Sequence, residues 1–293
     1  MSSRYAPSSN GAERNGQAGI EDLREKYWQQ EQSAYDRLMS LAEKPHHLTS
    51  VFSKELLEAA FSPETEPVLV CMDERIRLPQ DSRPIGIAGG GIFLKEGLMT
   101  NLVHALQRNG VRHITSHDEC GACSLYCDFL RQERGRISDP DHEGTLFAEE
   151  LAGEVSGRAE RIHRSSMSGH PNFHHARCMT IDNTGFFNPS VLGKEYPSSL
   201  FLSAPYYPTA KRLALEAQIG VNVIAMGEHG MGWERFTDDQ PMAIAIVNDP
   251  FRPSYNTQVL NHILHNLSQT RRALQFINIH PSRRMVAPLG RIL

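Results

Sequence analysis

Two short stretches carry the strongest chemical signal in this chain. The first, Val68-Leu69-Val70-Cys71-Met72-Asp73-Glu74-Arg75, is an apolar run that ends abruptly in a thiol, two acids and a guanidinium. A bounded apolar run suits a parallel strand buried on both faces, whose C-terminal end opens where α/β proteins place their chemistry. The second, His113-Ile114-Thr115-Ser116-His117-Asp118-Glu119-Cys120-Gly121, delivers His117 and Cys120 as a β-prone segment gives way to glycine. Cys71, His117 and Cys120 together offer two thiolates and an imidazole, a borderline-soft set that selects zinc. Three protein ligands leave one tetrahedral position free, which is the arrangement of a catalytic zinc; a structural zinc takes a fourth side chain. Cys120 and Cys123 would form a rival Cys-x-x-Cys pair. The chain holds no second such pair, so Cys123 and Cys127 are read as small buried hydrophobes.

Asp73 and Arg75 leave the same predicted strand end as Cys71. Paired with Arg75, the carboxyl stays ionised and can accept a hydrogen bond from water at the metal. A lone Asp-x-Arg is ordinarily a surface ion pair of little consequence, but the cysteine beside this one gives it a chemical use. Gly89 and Gly90 close a predicted strand over 85–92, after a loop from Leu78 to Pro84. Such glycines let strand and helix pack closely, and their N–H groups, near a metal, can also orient a small substrate. Of the 14 histidines, spacing assigns none to proton transfer.

These side chains need a scaffold that brings separate strand ends together. A helix over Lys95–Asn109, with Leu98, Leu102, Ala105 and Leu106 on one face and Gly110 as its stop, supplies the crossover. Strand, helix, strand at this spacing gives parallel neighbours, and the right-handed crossover puts both ligand-bearing ends on one edge. Before this core, residues 1–19 lack periodicity and are expected to be a disordered tail. An organellar targeting role for them is opposed by Glu13 and the absence of an amphipathic pattern. Ile20 to Glu43 has helical spacing that Pro45 ends, and a shorter helix covers Ser53 to Phe61. Residues 20–62 form an N-terminal helical arm on this reading, and 63–189 the zinc-binding α/β core.

The 293 residues carry a formal charge of −4 with the signs interspersed, which gives no general pull toward nucleic acid or anionic lipid. No apolar run approaches the length of a membrane span. Five cysteines without a secretory apolar segment point to reduced thiols in the cytoplasm rather than a disulfide framework.

Cys71-x-Asp73-x-Arg75 followed by His117-x-x-Cys120-Gly121 resembles the beta class of carbonic anhydrases, over roughly residues 50–187. The resemblance implies a mostly parallel central sheet flanked by helices, with Cys71, His117 and Cys120 as ligands of Zn2+. It also implies Asp73 and Arg75 as the catalytic dyad, Gly89 and Gly90 beside the substrate, and a strand over Ala176–Gly185 as the last of that sheet. The activity implied is reversible hydration of CO2 to bicarbonate, and the assembly implied is a homodimer or dimer-based oligomer, with the N-terminal helix packed on a partner subunit. Periodicity alone allows that helix to cover its own core equally well. In some members the equivalent of Asp73 takes the fourth zinc position. Where the family has Arg-Asn before Ala-Gly, this chain has Gly86-Ile87. Rival readings are a hydrolase of carbonyl sulfide or carbon disulfide on the same site, and an inactive zinc-bearing binding or regulatory protein.

Residues 190–293 extend past the resemblance as further αβ structure: helices over Thr209–Ile219 and Tyr255–Leu267, strands over Val221–Met226, Met242–Val247 and Leu274–Ile279. Ala214-Leu215 through Gly220-Val221 to Gly227-Glu228-His229-Gly230 echoes the run from Ala105 to Cys120. In a decayed repeat of that register, Gly227 and Gly230 would stand in the places of His117 and Cys120. The stretch from Glu143 to Ser166 reads as a surface helix.

Overall fold

The computed structural model describes residues 10–43, 48–62, 64–79, 81–168, 173–226, 230–268 and 273–286. Helices α1 (Asn10–Glu43), α2 (Leu48–Val51) and α3 (Lys54–Ala60) lead into strand β1 (Glu66–Val70). There follow β2 (Ser82–Gly86), α4 (Met99–Arg108), β3 (His113–His117), α5 (Gly121–Arg134), α6 (Pro140–Glu154) and β4 (Arg158–Ile162). The remainder comprises β5 (Cys178–Asp182), β6 (Ser199–Ser203), α7 (Ala210–Ala225), β7 (Met242–Val247), α8 (Pro253–Leu267), β8 (Leu274–Ile279) and α9 (Arg283–Val286). The strands make two four-stranded sheets, β2-β1-β3-β4 and β6-β5-β7-β8, in which every neighbouring pair is parallel.

Sequence and position agree strand by strand. All six residues of β7 are buried, as an unbroken apolar run in the middle of a parallel sheet requires. β4 lies at an edge and carries Arg158, Glu160 and Arg161 in the open, which discourages pairing with another chain. Helix starts are capped where the sequence offers an acceptor: Leu56 donates its N–H to Ser53 Oγ (3.2 Å), and His142 donates to Asp139 Oδ1 (2.8 Å) ahead of α6.

The sheets meet along β2 and β6. Gly86, last in β2, donates its N–H to Ser203 Oγ at 3.0 Å, and Phe201 donates to the carbonyl of Met72 at 3.0 Å. A Cβ on Gly86 would lie 2.0 Å from the Phe201 carbonyl oxygen, so only glycine fits this junction. α1 packs on its own chain. Leu38 and Leu41 are buried in the second core cluster. Fully buried Arg177 donates to the Trp28 carbonyl (3.1 Å) and Gln32 (2.9 Å), with its guanidinium against the rings of Trp28 and Tyr35.

Several expectations are corrected. The single central sheet is two sheets, and β5, expected as the last strand of the first, is an inner strand of the second, flanked by β6 and β7. Val221 to Ala225 is the last part of α7 rather than a strand; its branched side chains pack into the core as one face of a helix that starts at the Thr209 cap. The strand expected over 85–92 starts at Ser82 and ends at Gly86, and the chain then turns through Gly89, Gly90 and Gly91, which all take positive φ and break any extended run. Pro84 sits in that strand because β2 is an edge strand of its sheet. The surface helix expected as far as Ser166 ends at Glu154, and β4 follows. Residues 10–19, expected in the tail, belong to α1; residues 1–9, Pro45, and Gly227, Glu228 and His229 lie outside the described residues.

Candidate metal centre

Cys71 is the first residue after β1 and His117 the last of β3, so adjacent parallel strands set thiol and imidazole on one edge. Cys120 is the N-cap of α5, and the residue before it, Glu119, takes a left-handed φ of 55°. That uncommon conformation for a non-glycine residue is held by the Glu119 N–H donating to Asp141 Oδ1 at 2.8 Å, and the turn brings Cys120 back to the strand ends. Cys71, His117 and Cys120 are all buried, and their ligand atoms lie within 4.8 Å of one another.

Three features fit this trio to zinc. The Cys71 and Cys120 sulfurs are 3.8 Å apart, far beyond a disulfide bond and equal to the edge of a tetrahedron whose metal–sulfur bonds are about 2.3 Å. His117 Nδ1 lies 2.9 Å from the carbonyl oxygen of Asp118, which can only accept, so Nδ1 carries a proton and Nε2 is the nitrogen left for a metal. That Nε2 is buried with no hydrogen-bond partner, an unmet polar atom that a cation held with the two sulfurs would satisfy. The electrostatics agree. The hydrogen bond with Cys120, together with burial, pushes the Cys71 thiol well up; the Cys123 contact and burial do the same for Cys120, although Cys71 pulls it down. Burial pulls His117 down, but Cys71, Asp73 and the Asp118 carbonyl outweigh it and lift the imidazole to about 9, so Nε2 holds a proton that a bound cation would displace. A divalent cation is the partner that lets both thiols ionise here together.

Asp73 and Arg75 are buried beside the trio and form a forked pair. Arg75 donates from its backbone N and its Nε to Asp73 Oδ1, both at 2.9 Å, and from Nη2 to Oδ2 at 2.6 Å. Burial raises the Asp73 carboxyl, but His174 and Arg75 outweigh it and hold the group well below the usual carboxylate range. Gly89 donates its N–H to Cys71 Sγ at 3.2 Å, and Gly90 donates to the carbonyl of Ile87 at 2.9 Å. The first of these bonds reaches the Cys71 sulfur, and the second closes the glycines' own turn.

Sequence reasoning missed His174. Its Nδ1 is 2.8 Å from Glu74 Oε2 and 3.7 Å from Asp73 Oδ1, and the next residue, His175, donates its N–H to Glu74 Oε1 at 2.8 Å. Burial pulls His174 down, but Glu74 and Asp73 outweigh it, so its pKa is raised. Asp73, Glu74 and His174 form a second close group of ligand types, but Arg75 already engages both oxygens of Asp73. No local pattern around His174 announces it, because its partners stand at the end of β1.

A cavity of about 580 Å3 opens at the site, lined by Cys71, Asp73, Arg75 and His174 together with Leu200, Ile219 and Val223. Comparison with protein-family models, with curated proteins and with solved structures found no match to this chain. No helix among the described residues is long and apolar enough to cross a membrane.

Proposed function

We propose that this chain is a zinc-dependent carbonic anhydrase that interconverts CO2 and water with bicarbonate and a proton. The observation that supports this best is the convergence of Cys71 Sγ, Cys120 Sγ and the unpartnered Nε2 of His117 beside the ionised Asp73–Arg75 pair, at the wall of an open cavity. Zinc held by this trio supplies Lewis acidity that makes water a competent nucleophile near neutral pH.

The chain's own groups position and deprotonate. Cys71, Cys120 and His117 hold the metal, and the N–H of Gly89 steadies the Cys71 sulfur. Asp73 is outside the ligand trio and is held by Arg75, so with a metal in the trio it would be free to bond a water rather than the metal. Asp73 Oδ1 accepts two hydrogen bonds from Arg75 and Oδ2 accepts one, so a lone pair on Oδ2 remains to orient the attacking water. His174, on the cavity wall and backed by Glu74, takes the departing proton toward solvent. Water adds its oxygen to the carbon of CO2 and gives up one proton, so atoms and charge balance as bicarbonate and H+.

Stopped-flow measurement of pH change on mixing zinc-loaded protein with CO2 tests this reading. Hydration is expected in the wild type, and Asp73→Asn should lower kcat/KM about 100-fold with zinc retained. A fully loaded wild type that hydrates no CO2 sinks the proposal; carbonyl sulfide and carbon disulfide would be assayed next.

A further inference from the structure

The two sheets share one plan. In order of appearance along the chain, the strands of each sheet lie 2-1-3-4, all parallel. Pairing registers align β1 with β5 and β2 with β6 residue for residue: Glu66 pairs with Ser82 as Cys178 pairs with Ser199, and Val70 pairs with Gly86 as Asp182 pairs with Ser203. Gly86 and Ser203 are therefore equivalent positions, and they touch each other across the junction. Contact between equivalent residues is the mark of a two-fold relation, here within one chain.

Further contacts reciprocate. Arg83 of β2 reaches the second half's strand ends and donates to the carbonyl of Gly185; its equivalent in β6, Leu200, lines the cavity at the metal centre. Counted outward from the aligned strands, Cys71 corresponds to Asn183, Asp73 to Gly185 and Arg75 to Phe187, so the second edge has neither that thiol nor the acid–guanidinium pair. From the aligned pairings of β3 and β7, the place of His117 falls to Asp249. Every residue of β6 and α7 that lines the cavity is apolar: Leu200, Ile219 and Val223. The charged lining residues Asp73, Arg75, Glu119 and Asp128 all belong to the first half.

We propose that residues 178–286 are an internal counterpart of residues 66–162 that has lost the metal chemistry and now walls the single metal pocket. Leu200, Ile219 and Val223 set which molecules reach the centre and favour small uncharged ones over ions. The selection of an uncharged substrate rests on the hydratase reading; the wall itself does not.

The test uses the full chain loaded with cobalt, with azide as an anionic probe followed by visible absorption. Wild type, Val223→Glu, Val223→Lys and Ile219→Glu are each expected to bind one metal per chain. The glutamates should raise the azide Kd at least about 10-fold through like charge in a low-dielectric pocket, and Val223→Lys should lower it about 10-fold. Opposite signs from one position separate a wall facing the metal from general damage to folding. Two metals per chain, or azide affinities that ignore the sign of the introduced charge, would overturn the proposal. Absence of CO2 hydration with the expected azide pattern would overturn only the hydratase reading.

Discussion

Arg75 grips both carboxylate oxygens of Asp73, Nε to Oδ1 at 2.9 Å and Nη2 to Oδ2 at 2.6 Å, with both side chains almost wholly out of solvent. A fork of this kind fixes direction as well as charge. With the Arg75 backbone N–H, it occupies three of the acceptor positions of the carboxylate and leaves Oδ2 a lone pair for another donor. An exposed ion pair of the same sequence would do neither, because solvent screens it and side-chain entropy opposes it. The Arg75 backbone N–H adds the third bond to the same carboxylate, so on the hydratase reading the guanidinium holds Asp73 as a hydrogen-bond acceptor.

The ligand assignment separates Cys71 and Cys120 from the neighbouring buried Cys123. Cys71→Ser, Cys120→Ser and His117→Ala should each reduce zinc from about one per chain to near zero after dialysis against a weak chelator, since each removes one of three ligands. Cys123→Ala should keep its zinc, because Cys123 lies outside the trio. Atomic emission on the purified variants checks this. Zinc lost from the Cys123 variant and kept in the Cys120 variant would reassign the site.

His174 should control proton release more than substrate capture. His174→Ala is expected to lower kcat about 10-fold with kcat/KM for CO2 nearly unchanged, and added imidazole should restore kcat. Glu74→Gln should weaken the same step, because the Glu74 carboxylate partners the His174 ring. Steady-state rates at several imidazole concentrations decide the matter. An equal fall in both parameters, without rescue, would make His174 a structural residue.

Much of the site was legible because its residues lie in short local patterns at strand ends. β1 reads as an apolar run and β3 as a β-prone segment, each leading into an expected ligand, and β8 reads to the residue. Helix–strand decisions failed where composition and context disagree. β4 is so charged that it reads as a surface helix, and only its edge position makes it a strand. Val221 to Ala225 is β-branched enough to read as a strand, yet it continues a helix whose other turns already pack on the core. The sequence echo set Ala105 to Cys120 against Ala214 to Gly230, whereas the proposed repeat, built on strand pairings, sets β3 against β7. Topology preserves it through strand order and the Gly86–Ser203 contact, whereas side chains at the second edge have been replaced. His174 and Glu74 meet only through tertiary folding, which no local spacing encodes.

The junction of the halves tolerates no side chain at position 86. Gly86→Ala places a methyl 2.0 Å from the Phe201 carbonyl oxygen, a backbone atom that cannot rotate aside. The strands must part, which threatens the Gly86–Ser203 and Phe201–Met72 hydrogen bonds together. A loss of about 2 to 4 kcal/mol is expected, from overpacking and broken backbone bonds combined. Urea unfolding monitored by circular dichroism measures it. A loss below about 0.5 kcal/mol would mean that the edges are not held together there.

Asp182, at the end of β5, is fully buried and gives the fold a pH dependence of its own. Burial lifts its carboxyl to about 6 from an ordinary value of 3.8, against the opposing hydrogen bonds from Thr184 and Phe187 and the nearby Arg83. A raised folded-state pKa means that the protonated form suits the native site better. The associated stability is present in full below about pH 4 and is lost as pH rises through about 6, amounting to about 3 kcal/mol at roughly 1.4 kcal/mol per pKa unit. Asp182→Asn cannot titrate, although it forfeits one acceptor for the Phe187 N–H, bonded at 3.1 Å in the wild type. The wild type should therefore exceed the variant in stability most at pH 4, and the gap should shrink by up to about 3 kcal/mol by pH 7.5. Urea unfolding of both proteins at the two pH values measures the gap. The comparison cancels contributions from Asp73 and Glu74, whose lowered pKa values act in the opposite direction in both proteins alike. A gap that stays constant would show Asp182 ionising as it does in the unfolded chain.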